Sequence, residues 1–248
     1  MTRTRRLPAS LALGALLAAC GDGRLSGGYD DVENPAILVA LSDASGKVPS
    51  AGALRLYARY QNPLQDSLPL LEVAGNGDSL VVEDSAVREA FARAESLGIP
   101  SPGKDTLEFN LLAAAEGGES FLGGYALIKR TEGWGFIRRV GNEVEYPDAK
   151  GVLARTHRLA PPVLGQTGSV GAKGAELGLK SVFIPGSPYG ALLAGDGTFG
   201  MARIARGRFE LKSVSADEKV YTAADSLEAG AEYTASDWAE ADIIWVIP

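Results

Sequence analysis

Val182-Phe183-Ile184-Pro185-Gly186-Ser187-Pro188-Tyr189, then Gly195-Asp196-Gly197-Thr198-Phe199, then Ala205-Arg206-Gly207-Arg208-Phe209-Glu210-Leu211 is the stretch that decides the fold class. Its apolar runs are short and β-rich, and glycine or proline interrupts each before a helix could complete two turns. Residues 182–184, 189–194, 198–204 and 208–214 therefore read as four strands. Asp196-Gly197 is a hairpin turn pair, because glycine accepts the positive φ that a tight reversal requires. Arg206-Gly207 reads as a second turn. Closely spaced strands joined in this way predict an all-β sandwich.

Upstream the same grammar is looser. Ile37, Val39 and Leu41 alternate with smaller residues before a turn at 43–46. Leu54 and Leu56 alternate with Arg55, Tyr57 and Arg59, and Leu107, Phe109 and Leu111 with Glu108 and Asn110. Each has the period of two that a half-buried strand needs. Residues 125–129 and 135–140 read as two more strands, and 242–247 as the last. One helix is expected, over 85–97: Asp84 or Ser85 caps it, and Val87, Phe91, Ala94 and Leu97 share a face before Gly98 and Pro100 stop it. Such a short amphipathic helix reads as a cover over an open sheet end. Residues 159–166, with Pro161 and Pro162, read as a boundary.

The stretch quoted first resembles the carboxypeptidase regulatory-like domain, a small transthyretin-like β-sandwich. Asp196-Gly197-Thr198-Phe199 and Gly207-Arg208-Phe209-Glu210-Leu211 match that family's D-G-x-F turn and following strand. A partial echo lies at 34–57, where Asp43 to Gly46 and Gly52-Ala53-Leu54-Arg55-Leu56 look like its opening, without the D-G-x-F continuation. The resemblance implies a structural or binding module rather than the catalytic part of a peptidase. The expected architecture is thus mainly all-β: two Ig-like or transthyretin-like β-sandwich domains, at 36–158 and 159–248, with one short inserted helix in the first.

The N-terminus carries an export signature. Arg3, Arg5 and Arg6 precede an apolar run from Leu7 to Ala19, well short of the about 20 residues that a bilayer span takes. Leu17-Ala18-Ala19-Cys20 resembles the bacterial lipobox, which implies cleavage after residue 19 and acylation of Cys20, palmitate being one of the acyl groups. Cys20 is the single cysteine of the chain, so it has no disulfide partner within it. Residues 20–35 are rich in Gly, Asp and Ser and read as a flexible tether. Gly21, not Asp, follows Cys20; by analogy with lipoprotein sorting in two-membrane bacteria, nothing there retains the protein at the inner membrane. The expected partner is the lipid bilayer, reached through acylated Cys20, in the cell envelope.

The whole chain carries a formal charge of −7, and loss of the signal removes three arginines and no acid. An acidic body without a basic cluster repels phosphate backbones, so nucleic acid is not an expected partner. Catalytic constellations are equally thin. Gly195-Asp196-Gly197-Thr198-Phe199-Gly200 matches G-x-G-x-x-G, but a strand, not a helix, is expected to follow it. Ser187 lacks the first glycine of a nucleophile elbow, since Pro185 stands there. His157, the one histidine, reads as a solvated linker residue beside Arg155 and Arg158. No metal site, cofactor or catalytic residue is assigned. Trp134 and Phe136, two apart on one strand face, and Trp238 near the end are the candidate ligand-binding residues. Such rings either stack on sugars or fill the core. The functional expectation is a membrane-anchored, non-catalytic structural, display or adhesion module. The alternatives are a polysaccharide-binding lipoprotein that uses those rings and a diverged hydrolase or hydrolase accessory; an envelope protein is the other candidate partner.

Overall fold

The computed structural model describes residues 35–96, 105–116, 118–131, 133–140 and 143–241. The signal at 1–19, Cys20, the tether up to residue 34, Leu97 and the strand expected at 242–247 lie outside them. Among the described residues the protein is mainly β, with strands in layered sheets around two apolar cores.

The first core lies between a three-stranded and a six-stranded sheet. In the smaller sheet β1 (Ala36–Ser42) is central, antiparallel to β4 (Leu80–Glu83) and parallel to β9 (Val152–Arg158). The larger runs β3 (Leu71–Gly75), β2 (Gly52–Ala58), β5 (Thr106–Ala115), β6 (Gly118–Arg130), β7 (Gly133–Val140) and β8 (Glu143–Glu145), antiparallel throughout. Alternation decides what goes inside: Ile37, Val39 and Leu41 of β1 face Leu54 and Leu56 of β2 and Phe109 and Leu111 of β5 within one core. Helix α1 (Asp84–Ser96) buries Val87 and Phe91 in this core, as its apolar spacing predicts, and packs against β4 of the smaller sheet and β3 and β7 of the larger.

The second core lies between a five-stranded and a three-stranded sheet. The five-stranded one orders β12 (Gly190–Leu192), β11 (Leu179–Phe183), β15 (Lys212–Ser215), β16 (Val220–Ala223) and β19 (Trp238–Glu240). Facing it are β13 (Thr198–Ile204), β10 (Val163–Ser169) and β18 (Tyr233–Thr234), with β14 (Arg208–Phe209) and β17 (Leu227–Glu228) paired alongside. Val182, Phe199, Met201, Tyr233 and Trp238 interlock between them.

Three details differ from expectation. A second helix, α2 (Gly171–Glu176), turns inside the second half; its Gly-Ala-Lys-Gly-Ala-Glu sequence has no apolar period to announce it. The Asp196-Gly197 turn forms as expected, with Gly197 at φ +79, but β12 and β13 then enter different sheets, so it is a corner rather than a hairpin. The expected strand at 208–214 breaks at Glu210-Leu211, because Phe209 pairs with β17 while Lys212 onward pairs with β11 and β16.

Candidate functional site

The two cores are joined through the outer face of the six-stranded sheet. Residues 53, 55 and 57 of β2 alternate away from the first core, and the Tyr57 ring and, from β5, the Leu112 side chain pack into the second. A bulge in β6 makes the same possible there. The pairing shifts at Leu111/Leu112, where Leu112 faces Phe121 and Leu111 faces Gly123, leaving Leu122 extra. Gly123 sits at φ +96, a conformation that glycine takes at little cost. Leu122 stays in the first core, and the added residue turns Phe121 and Glu119 outward to the second half. Arg138 donates to the Leu122 carbonyl at 3.1 Å, which satisfies an acceptor that the bulge removes from the ladder.

Glu119 is the hub of the resulting joint. It is 6% exposed, accepts from the Tyr189 hydroxyl at 2.7 Å on Oε1, and accepts from Arg203 Nε at 2.6 Å on Oε2. Burial first, then the hydrogen bond to this carboxylate, pushes the Tyr189 phenol far above the usual range. Tyr57 close by is pushed up to about 12 by burial. Both phenols are therefore neutral donors at any physiological pH. A cleft of about 830 Å³ opens above this cluster, floored by small residues such as Ala53 and Ala114 and banked by Arg55, Glu116, Glu119 and Arg203. Glu116 and Glu119 both line it, but each oxygen of Glu119 already has a protein partner, so that carboxylate positions rather than reacts.

A loop of the second half completes the joint. Gly186 N donates to the Gln61 carbonyl at 2.9 Å, while Asn110 Nδ2 donates to the Gly186 and Pro185 carbonyls at 3.1 and 3.3 Å. Gly186 lies at φ +64, and a Cβ there would sit 2.7 Å from the Arg59 carbonyl and press on the Asn110 amide. The rings of Phe121 and Phe209 meet edge to face, centroids 5.5 Å apart.

The residues singled out from sequence fall elsewhere. Phe136 is fully buried in the first core, edge-on to Phe109. Trp238 is 5% exposed, and its indole N–H donates to the Val170 carbonyl at 2.9 Å. Trp134 is half-buried and packs against the first core beside Phe136. The two-residue spacing does put Trp134 and Phe136 on one face, but that face is the inner one, so no stacking platform forms from the pair. Ser187 is fully buried and serves its own turn, donating to the Ile184 carbonyl and accepting from Tyr189 N. His157 is not in a linker: it lies half-buried on β9, where burial and then the charge of Arg138 lower its pKa. Among the described residues there is no cluster of three metal-ligating side chains, and no helix is long and apolar enough to cross a membrane.

Sequence reading missed Glu119, Tyr189, Arg203, Asn110 and Gly186. The one local signal was Gly123-Gly124 in a strand, since glycine inside a β pattern marks a bulge or a close approach.

The fold and this joint define the class: a mostly β protein of two packed sandwiches fastened through a shared sheet face. No family model and no curated protein matches the chain. Among solved structures it is similar to the Bacillus anthracis TIE protein, at 8% identity over 84% of this chain and 34% of that one, with a TM-score of 0.24. It is also similar to a streptococcal ancillary pilin, at 10% identity over 85% and 63%, TM-score 0.27. A third is the major pilin T-13 of Streptococcus pyogenes, at 8% identity over 84% and 92%, TM-score 0.27. The chain thus spans about a third of the first and just under two thirds of the second. The overlap is loose.

Proposed function

We propose that the chain is a non-catalytic lipoprotein of the cell envelope, anchored by acylated Cys20 and held off the membrane by the tether at 20–35. Its body then displays or spaces, with a first β-sandwich at 36–158 and a carboxypeptidase regulatory-like one at 159–248. The observation that carries the reading is the joint. Glu119, the buried carboxylate lining its large cleft, is committed to Tyr189 and Arg203, which stiffens the connection between halves and leaves that group no oxygen free to act as a base. A stiff two-sandwich body on a lipid tether suits presentation of loops at a fixed height, because rigid strands hold loops in place without disulfides.

Metabolic labelling with an alkyne-tagged palmitate in a bacterial host tests the anchor. The full chain is expected to take up the label and to partition with membranes, and Cys20→Ser to do neither. Label retained in Cys20→Ser would sink the reading, as would turnover of a glycoside or peptide substrate that disappears in Glu116→Gln.

A further inference from the structure

A second, smaller cleft of about 250 Å³ opens where the end of β2, the loop after β11 and the step from β14 to β15 come together. Its charge runs against that of the molecule. The chain as a whole is at −7, yet Arg59, Arg208 and Lys212 line this cleft with Glu210 as the one carboxylate among the lining residues. Lys212 is the unusual group, with its side chain 7% exposed. Its carboxylate neighbour Glu210 is 56% exposed and lies 3.3 Å from Nζ. An ammonium offers three donors, and Glu210 Oε1 can take one. Taking such a charge out of water costs several kcal/mol unless acceptors surround it, so a methionine would be the cheaper occupant for packing alone.

The other cations are placed to act with it. Both oxygens of Glu108 hold Arg59 Nη1 at 3.2 Å, and the Tyr60 ring lies under its guanidinium at 5.4 Å, so that head is fixed at the cleft wall. Arg208 stands 72% exposed, loosely paired with Glu228 at 3.5 Å. Phe121 and Phe209 supply an apolar wall. The volume falls below the about 300–1,000 Å³ of clefts that take drug-sized molecules, which limits the occupant to amino-acid or monosaccharide size.

We infer that this cleft binds a small organic carboxylate. The carboxylate meets Lys212 Nζ and the Arg208 guanidinium, and its compact body lies against the two phenylalanine rings. An acidic sugar and the carboxylate end of a peptide share this chemistry.

The test is calorimetric titration of the full chain in detergent with glucuronate, with N-acetylalanine and with inorganic phosphate. Saturable binding of one of the two carboxylates is expected, and the one that binds names the source. Lys212→Met should weaken it about tenfold or more, the worth of one lost charge-assisted bond, without lowering Tm. Arg208→Gln, at an exposed position where folding is not at stake, should weaken it several-fold. The inference is overturned if neither carboxylate binds, if phosphate binds as well as they do, or if both variants bind like the parent.

Discussion

Glu119 shows how much one side chain can be asked to hold. Its burial is tolerable because a phenol and a guanidinium answer both oxygens, and removing it leaves the Tyr189 hydroxyl buried without an acceptor. Glu119→Ala should therefore cost about 1–3 kcal/mol, and Tyr189→Phe about 1 kcal/mol. Arg203→Ala should cost less than about 1 kcal/mol, because that side chain is 52% exposed and water replaces much of what it loses. Urea midpoints read the order, and an arginine variant weaker than the glutamate one would contradict it. His157 makes a pH prediction. Burial, then the nearby Arg138 charge, lowers its folded pKa, so the unfolded chain takes the proton first. Below about pH 6.5 the unfolded state then binds more protons, and stability falls until pH passes the lower folded value. His157→Gln should flatten the Tm difference between about pH 7 and the acid end of that window; an unchanged slope would remove His157 as its source.

At the level of elements, alternation carried most of the legible information. Strands with apolar residues at every second position, such as β1, β2 and β5, could be read because one face is fully buried. Helix α1 was legible by its 3.6 spacing. What could not be read is where the chain changes sheet. Glu210-Leu211 looks like the middle of a strand, and only the competing partners β17 and β16 divide it. The β6 bulge belongs to the same category, because one extra residue reverses every later side chain. Gly123→Val opposes the left-handed φ of +96 that the bulge needs; unbroken alternation would set Leu122 opposite Leu112, turn Phe121 and Glu119 to the inner face and place a carboxylate in an apolar core. The expected result is loss of the cooperative fold, seen as a collapsed near-ultraviolet dichroism signal. A native-like spectrum would mean that the bulge is dispensable. Gly186→Ala tests the other fastening: a left-handed φ and a backbone carbonyl at 2.7 Å from the new Cβ should together cost about 2–4 kcal/mol.

On the scale of the whole molecule the joint was invisible beforehand for a physical reason. Glu119 meets Tyr189 and Arg203 across 70 and 84 residues of sequence, and no local pattern encodes a contact that exists only once two sandwiches have folded and met. The aromatic pair Trp134 and Phe136 was legible as a shared face, but whether that face stacks on sugars or fills the core was not, since the sequence period does not say which side another sheet will cover. The same separation predicts how the protein comes apart. Each half has its own core, and the halves are coupled by Tyr57 and Leu112 seated in the far core, the Phe121–Phe209 contact and the polar cluster at Glu119. An edge-to-face ring pair contributes about 0.5–1.5 kcal/mol and each hydrogen bond about 1 kcal/mol, enough together to tie two marginal cores into one transition but not to survive much loss. Scanning calorimetry of the full chain should give one endotherm. In the double variant Phe121→Ala, Glu119→Ala it should split into two, the first core melting apart from the second. A single endotherm in the double variant, merely shifted to lower temperature, would mean that the shared sheet face alone couples the halves and that the polar cluster adds stability without adding cooperativity.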